Sequence, residues 1–445
     1  MDQPHADIAN FYDGRHIFYT GATGMLGMAF LSRIVLDTPV SCIYALVRGG
    51  ESRFWKELDS HLPSDLVQAL QKSNKLVIWE GDMTLPNFGL ETDEVETLRR
   101  NVSIFIHGAS TLNLKRDLKY VAESIIKPSL AMAKLGLSCP NLTRFVFVST
   151  AYSSAFLRRS SDGQVSGQDA LIKEEVIPIR SSSAFENLEA ELSDLETFGS
   201  TPEFAFVQHP YSYSYAKHLT ERLLLREFEA HGQVDKLTIL RPSAIGPAVS
   251  KPFPFFERPG STPVTTIMAM IVINPPTAMR FASHLADPST STFDEVPVDL
   301  VVNTMIVHCA VGTSGIIHAV AGKEGSAMFH NTWPNVISLR RSWWGRPRAQ
   351  WVKTDWKAPN LCALAKLFVL MGCSFIFDQA RTHLVWERMS EAERRDWPLW
   401  VTTNSESREN VEGREKSIKI ILGYILTKKY RLPAFMVGLI CRSVY

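Results

Sequence analysis

Short apolar runs alternate with amphipathic stretches over the first 150 residues of the chain. The runs lie at 17–19, 42–47, 76–79, 102–106 and 144–148, and most of their residues are Ile, Val, Leu, Phe or Tyr. The stretches between them, such as 28–36 and 120–134, carry apolar residues at helical spacing. Continuous apolar runs predict strands buried on both faces, and their alternation with helices predicts a parallel sheet covered on both sides. The predicted fold class is therefore α/β, with a doubly wound parallel sheet.

The first predicted strand leads directly into a glycine-rich turn. Residues 20–27 have the sequence Thr-Gly-Ala-Thr-Gly-Met-Leu-Gly, with glycines at 21, 24 and 27 just before a predicted helix. This order of strand, turn and helix is typical of a dinucleotide-binding Rossmann fold, in which a pyrophosphate lies against backbone N–H groups that a Cβ atom would block. An ordinary tight turn is the alternative interpretation.

Polar residues stand at the carboxyl ends of the other predicted strands, where ligands of such sheets bind. Arg48 ends the second run, where no acid is present to accept from a ribose 2′-hydroxyl, and a cation there favours NADP over NAD because it can pair with a 2′-phosphate. A solvated strand end is the alternative. Asp82 ends the third run and can accept from the adenine amino group, unless it simply forms a turn. His107 is interpreted as a packed residue, whereas Ser149 and Thr150 can offer a hydroxyl to a substrate.

The segment 211–225 predicts a helix on which Tyr213 and Lys217 lie one turn apart. A free phenol has a pKa of about 10, and a nearby ammonium group is expected to lower it, which would make Tyr213 a usable acid at neutral pH. Lys217 can also hold the nicotinamide ribose hydroxyls, while Thr150 or Ser149 helps to orient the substrate oxygen. The alternative is that the tyrosine rings only pack and that Lys217 is solvated. Tyr211 and Tyr215 lack the spacing and are interpreted as packing residues.

The composition fits a globular protein and argues against several other classes. The 445 residues are 45% hydrophobic and 21% charged, and the formal net charge of +1 gives no general attraction to nucleic acid. Six cysteines without C-x-x-C or metal-ligand spacing favour a reducing compartment and no metal site. The first residues do not resemble a signal peptide. An intracellular location is therefore expected, either cytoplasmic or peripherally bound to an internal membrane.

The motifs together resemble the extended short-chain dehydrogenase/reductases, and within them the fatty acyl-CoA reductases of male-sterility type and the related thioester reductases. The interval of 63 residues between Thr150 and Tyr213 is long for a simple ketone reductase and holds a polar, acidic insert at 184–198. The resemblance is specific over about 15–310 and weak over 330–430. It is carried by six segments, at 20–27, 81–90, 148–152, 213–217, 240–246 and 296–303.

This resemblance implies a role for each candidate residue. Arg48 would bind the 2′-phosphate of NADPH and Asp82 would face the adenine. Thr150, Tyr213 and Lys217 would form the catalytic set, in which Lys217 also contacts the cofactor. Met25 stands where the family commonly has Phe. The cofactor loop would consist of Thr20, Gly21, Thr23, Gly24, Met25, Leu26 and Gly27.

The C-terminal half is expected to complete the substrate pocket and to add a small, mainly helical domain. The predicted organisation is an NADP-binding reductase domain over 1–320 and a helical domain of fatty acyl-CoA reductase type over 330–445. The apolar segment 261–273 can line an acyl tunnel or form an ordinary core helix. The segment 340–348 mixes arginines with tryptophans, which suits a membrane interface, the phosphates of CoA or an exposed loop. The apolar segments 361–377 and 418–440 do not predict a confident membrane span.

Three functions remain open at this point. The first is NADPH-dependent reduction of a long-chain acyl-CoA or acyl-carrier thioester to a fatty alcohol through an aldehyde, with the thioester implied by the resemblance. The second is NADPH-dependent reduction of a ketone or aldehyde in a specialised pathway. The third is a non-catalytic module that binds NADP to sense redox state, against which the Tyr213 and Lys217 pair argues. Peripheral association with a membrane is a further expectation.

Overall fold

A computed structural model describes residues 7–114, 116–158, 170–179, 185–207, 209–340, 343, 345–354, 358–362, 365–366, 373–400, 408–429 and 431. The strands are β1 His16–Thr20, β2 Cys42–Val47, β3 Leu76–Glu80, β4 Ile104–His107, β5 Arg144–Val148, β6 Ala170–Ile172, β7 Leu237–Pro242, β8 Ala244–Gly246, β9 Ala278–Ala282, β10 Thr292–Phe293, β11 Glu295–Pro297, β12 Gly315–Ala319, β13 Ala327–Met328, β14 Arg348–Val352 and β15 Phe375–Phe377.

The helices follow the same alternation through the first half and then dominate the second. They are α1 Met25–Asp37, α2 Gly50–His61, α3 Ser64–Lys72, α4 Thr92–Asn101, α5 Leu118–Val121, α6 Lys127–Leu137, α7 Leu188–Phe198, α8 Pro202–Val207, α9 Ser212–Ala230, α10 Pro263–Ile273, α11 Val298–Val311, α12 Gly322–Gly325, α13 Phe329–Ser338, α14 Ala380–Arg388, α15 Glu391–Asp396 and α16 Arg408–Tyr424.

Seven strands form one parallel sheet in the order β12-β7-β5-β4-β1-β2-β3. Alternate residues of each central strand enter two different cores, as period-two geometry requires. Ile17 and Tyr19 of β1 pack under α1, α2, α3 and α11, whereas Phe18 packs with α4, α6 and α9 on the other face. The prediction of a doubly wound Rossmann fold is confirmed.

The strand order reverses at β1, because β2 lies on one side of it and β4 on the other. The crevice at such a reversal is where α/β sheets bind their ligands. The glycine-rich turn after β1 and the loop after β4 both border this crevice, and Gly108 N donates to Thr20 O at 3.1 Å across it. The fold therefore brings the candidate cofactor loop to the expected edge.

The C-terminal part does more than add helices. A separate apolar core joins α10, α13 and α16, while β14 pairs with β9 and β15 pairs with β6. Asn303 Nδ2 donates to Pro398 O at 2.9 Å, and the Arg33 guanidinium lies 4.0 Å from the Trp397 ring centroid. The domain boundary between 320 and 330 stays a prediction, and strands that follow it hydrogen-bond to strands that precede it.

The segment 340–348 has one clear structural role. The Arg340 side chain is buried and donates to the carbonyl oxygens of Ile271, Val272 and Asn274 at the end of α10. Arg340 therefore does not serve a membrane surface or CoA phosphates, contrary to one expectation for this segment. Trp343 is exposed, and positions 341, 342 and 344 lie outside the described residues.

The membrane-related expectations can be checked only in part. Within the described part of the chain, every helix falls short of the length and apolarity that crossing a bilayer requires. Positions 363–364 and 367–372 of the first apolar segment, and 430 and 432–440 of the second, lie outside the described residues.

Candidate active site

The three glycines of the cofactor loop have two different structural roles, close backbone packing and access for a ligand. A Cβ on Gly21, whose φ is +93°, would lie 2.8 Å from Gly108 C, and one on Gly27 would lie 2.2 Å from Gly21 O. Both glycines thus permit close backbone packing. A Cβ on Gly24 would meet Gly21 O at 3.3 Å and is otherwise unobstructed. The side of the loop at Gly24 is therefore the side that a ligand can approach.

The start of α1 fits the pyrophosphate of a dinucleotide. Gly24 is the N-cap residue of this 13-residue helix and has no side chain that could cap the first N–H groups. An anion at this end would be stabilised by those N–H groups and by the helix dipole. Met25 is buried in the core, so any contact of Met25 with a cofactor is made by its backbone. The assignment of Thr23, Met25 and Leu26 to cofactor binding stays a prediction.

Thr20 and His107 hold the loop in place through a chain of buried hydrogen bonds. Thr20 Oγ1 accepts from Ala109 N at 3.2 Å and shares a hydrogen bond with His107 Nδ1 at 2.8 Å. His107 Nε2 lies 3.0 Å from Ser129 Oγ, which itself donates to Ile125 O. These directions assign the proton of a neutral His107 to Nε2. Burial, and then the charge of Lys217, lowers the pKa of His107 to about 3, in agreement with a packed histidine.

Arg48 and Asp82 lie at the ends of the neighbouring strands β2 and β3. Arg48 Nη1 is 3.9 Å from Asp82 Oδ2, and the Arg48 side chain is 70% exposed. Burial raises the pKa of Asp82, but hydrogen bonds from Thr84 and the charge of Arg48 outweigh it and lower the pKa overall. An ionised acid beside an accessible guanidinium suits an adenosine with a ribose phosphate. Both assignments stay predictions.

Lys217 is buried at the carboxyl edge of the sheet. Its side chain is 1% exposed, its Nζ donates to Val148 O at the end of β5 at 2.7 Å, and it lies 4.5 Å from the Phe147 ring centroid. Tyr213, one turn earlier on α9, is half-buried and packs against the core beneath that helix. The alternative of a solvated lysine is therefore wrong.

The pKa values of this pair differ from the expectation. Burial, with a smaller contribution from the Glu221 carboxylate, raises the pKa of Tyr213 above its usual value. Burial lowers the pKa of Lys217 to about 7, and Glu221 acts in the opposite direction. The expected lowering of the Tyr213 pKa by Lys217 is thus wrong for the chain alone, because desolvation of the phenolate dominates. Tyr213 remains a neutral phenol at pH 7, which is the form that donates a hydrogen bond.

The two hydroxyls after β5 have different surroundings. Ser149 Oγ donates its proton to Glu221 Oε1, so this proton is not available for a hydrogen bond to a substrate. Thr150 Oγ1 accepts from Tyr152 N at 3.3 Å and lies 3.5 Å from Pro242 O, which is a long and weak contact. Thr150 is therefore better placed than Ser149 to offer its proton to a substrate oxygen, although its catalytic role stays a prediction.

Two buried ion pairs anchor α9, and the sequence analysis missed both. Arg241 on β7 donates to Glu221 through Nε at 3.0 Å and Nη2 at 2.5 Å. Arg222, which follows Glu221 on α9, donates to Glu191 of α7 at 2.6 Å. The signals that could have revealed the first pair are an acid one turn after Lys217 on an otherwise apolar helix face and an arginine inside the apolar run 237–242.

The interpretation of Tyr215 as a packing residue is confirmed. Its side chain is fully buried, and its hydroxyl bonds to Glu191 and to Thr201 Oγ1. The acidic insert therefore packs on α9 through Glu191, which contacts Tyr215 and Arg222.

A small apolar cavity lies between α10 and α13. Its walls include Ile267, Met268, Phe293, Phe329 and Trp333. Phe293 is followed by Asp294, whose carbonyl oxygen accepts a hydrogen bond from the Tyr152 hydroxyl at 3.4 Å. Tyr152 lies two residues after Thr150 in the sequence. The segment 261–273 thus borders a cavity of only about 10 Å³, and the prediction that it lines an acyl tunnel stays a prediction.

Comparison with known proteins gives a family match and several relatives. The family model described as "Male sterility protein" matches residues 19–305, well over half of the chain. The chain is 27% identical over 331 residues to a putative fatty acyl-CoA reductase of Drosophila melanogaster, covering 72% of this chain and 58% of that protein. It is 26% identical over 339 residues to fatty acyl-CoA reductase 2 of Homo sapiens, covering 74% and 60%. The chain therefore spans about three fifths of the length of these curated relatives.

Solved structures share the fold. The terminal R domain from the myxalamid PKS-NRPS biosynthetic pathway superposes with a TM-score of 0.60 at 17% identity, covering 94% of this chain and 92% of that one. A thiolation-reductase di-domain from an archaeal non-ribosomal peptide synthetase gives a TM-score of 0.56 at 13% identity, covering 96% and 79%. At these identities the likeness concerns the fold alone.

Proposed function

Because this chain belongs to the male sterility protein family and is related to fatty acyl-CoA reductases, we propose that it reduces long-chain acyl-CoA thioesters with NADPH. The product is a fatty alcohol, formed through an aldehyde. The observation that carries the proposal is the burial of Lys217 at the edge of the sheet, one helical turn from Tyr213 and hydrogen-bonded to the strand that leads into Thr150.

The preference for NADPH rests on the residues at the ends of β2 and β3. Arg48 is accessible, and the neighbouring acid, Asp82, lies 3.9 Å away without covering it. A 2′-phosphate would find a guanidinium donor there, whereas an NADH-selective site usually offers a carboxylate to the 2′-hydroxyl.

The chemistry needs a donor set at the substrate carbonyl. When bound, NADPH supplies the hydride. Tyr213, kept neutral by burial, and Thr150 donate hydrogen bonds to the carbonyl oxygen and stabilise the negative charge that develops there. The hemithioacetal then loses the thiol as its C–S bond breaks and the aldehyde C=O forms. The same residues serve the second reduction, in which the aldehyde becomes the alcohol.

The acidic insert that contains α7 favours a thioester only through the family resemblance. The apolar cavity between α10 and α13 encloses only about 10 Å³, room for about one water molecule, so the long acyl chain is proposed from the relatives and not from this cavity. Peripheral binding to a membrane, where such substrates partition, belongs to this proposal as an expectation.

Product analysis with Tyr213→Phe tests the proposal. Purified protein is incubated with NADPH and a panel of acyl-CoAs, and NADPH oxidation, free thiol and alcohol are measured together. We expect the wild type to release one thiol for each two NADPH consumed, and Tyr213→Phe to lose at least about 100-fold in rate. Tyr211→Phe is the matched control and retains activity. Ketones and aldehydes are assayed in parallel, and their turnover without thiol release from any acyl-CoA would identify a ketone or aldehyde reductase instead. Tight NADPH binding without turnover of either substrate class would identify a sensor.

A further inference from the structure

The helix that carries the candidate catalytic pair also carries a buried carboxylate, Glu221, in line with it. Tyr213, Lys217 and Glu221 stand at i, i+4 and i+8 of α9 and so share one face. Glu221 and its partner Arg241 are both 0% exposed. Burying both charges of an ion pair costs a large desolvation energy. The position of this pair beside the candidate site therefore suggests a role other than stability.

Glu221 is fixed by three hydrogen bonds. Arg241 Nε and Nη2 contact its two carboxylate oxygens, and Ser149 Oγ donates to Oε1. The register of the sheet explains why these groups meet. Val148 of β5 pairs with Leu240 of β7, which brings Ser149 and Arg241, the next residue of each segment, to the same level.

The same strand end also receives Lys217. Its Nζ donates to Val148 O at 2.7 Å, and the residue after Val148 is the one that bonds Glu221. Lys217 and Glu221 are therefore attached to consecutive residues, Val148 at the end of β5 and Ser149 directly after it, and a shift of α9 would break both attachments together. The third consecutive residue is Thr150, the candidate substrate contact.

Among the described residues, Glu221 on α9 and His107 at the end of β4 interact electrostatically with the Lys217 ammonium. Tyr213 stands one turn earlier on α9, and Arg241 on β7 holds the Glu221 carboxylate. His107 is neutral and Tyr213 is a neutral phenol, so Glu221 is the group that favours a charged lysine, in opposition to burial.

We propose that Glu221, held by Arg241 and Ser149, is a positioning residue that keeps the Lys217 ammonium charged and fixed at the end of β5. The inference rests on the proposed function in one respect, namely that Lys217 contacts the nicotinamide ribose. It does not depend on the identity of the acyl substrate.

The test compares Glu221→Gln with wild type over pH 5 to 10. Gln retains the shape and most of the hydrogen bonds but removes the charge. Two profiles are measured, kcat/KM with an acyl-CoA and the association constant for NADPH from tryptophan fluorescence. We expect the alkaline fall of both profiles to move to lower pH by about one unit, because an opposite charge no longer supports the ammonium.

Glu191→Gln is the matched control. It also removes a buried, arginine-paired carboxylate that contacts α9, but Glu191 bonds to Tyr215 and Arg222 and not to the end of β5. It should lower the melting temperature and leave both profiles in place. If Glu221→Gln does not fold, Glu221→Gln/Arg241→Met removes both charges and should show the same displacement of the profiles.

The outcomes separate this inference from the proposed function. A displaced NADPH-binding profile without turnover of any acyl-CoA would support the inference and refute the function. Acyl-CoA reduction with both profiles unmoved in a folded Glu221→Gln protein would support the function and overturn the inference.

Discussion

Replacing Lys217 by Met should make the folded protein more stable below neutral pH while it abolishes activity. The lysine is 1% exposed, and burial lowers its pKa from 10.5 to about 7. The folded state thus holds this proton less tightly than the unfolded state. The free-energy cost of burying the charged Lys217 is fully present below pH 7, decreases as the pH rises from 7 to 10.5, and is absent above that range.

The magnitude follows from the two pKa values. The difference between the two pKa values destabilises the folded state by about 5 kcal/mol at pH 6 and by roughly 1 to 2 kcal/mol at pH 9.5. Met keeps the alkyl packing but loses the hydrogen bond to Val148 O, at a cost of about 1 kcal/mol at any pH. That cost cancels when the two pH values are compared. The advantage of Lys217→Met over wild type should therefore be about 3 kcal/mol larger at pH 6 than at pH 9.5.

The assay is thermal and urea-induced unfolding of both proteins at the two pH values, followed by tryptophan fluorescence. Lys134→Met, at an exposed position of α6, is the control and should show no such pH-dependent difference. An advantage of Lys217→Met that is equal at both pH values would refute the reasoning, and so would a variant less stable than wild type at pH 6.

Two further predictions concern the cofactor loop and the ribose phosphate. Gly27→Ala should destabilise the protein by about 1 to 3 kcal/mol and weaken NADPH binding, because the new Cβ would lie 2.2 Å from a backbone oxygen. Gly24→Ala, whose Cβ has a nearest neighbour at 3.3 Å, should keep the wild-type melting temperature but still weaken NADPH binding. Equal melting temperatures for the two variants would contradict this division of roles. Arg48→Ala should raise the Kd for NADPH by about tenfold or more and leave the Kd for NADH unchanged in titrations monitored by fluorescence; an equal loss for both cofactors would assign Arg48 to general support of the strand end.

The sheet could be predicted because its strands are buried on both faces. Fully apolar runs such as 42–47 are distinctive, and the glycine-rich turn fixes which of them comes first in the fold. The positions of Tyr213 and Lys217 on one helix face followed from a spacing of four. These features are local in sequence, so a single chain is enough to recognise them.

The features that sequence reasoning missed depend on distant partners. Glu221 and Arg241 come from different elements, as do Arg222 and Glu191. The acid on α9 and the arginine in the apolar run 237–242 each suggest a buried charge, but neither segment shows which partner it meets. The direction of the Tyr213 pKa was wrong because the sequence gives the neighbouring ammonium but not the degree of burial, and burial is the larger effect here. Strands β14 and β15 are short, and their partners lie far upstream, so the C-terminal part was predicted to be mainly helical and these two strands were not foreseen.

The pairing of β15 with β6 has a consequence for protein engineering. Residues 375–377 complete a two-stranded ribbon with residues 170–172, which belong to the interval between Thr150 and Tyr213. A chimera that exchanges the C-terminal part for that of a relative would leave a foreign strand against the original interval. Functional hybrids within this family should therefore require both regions to be transplanted together, even though about 200 residues separate them along the chain.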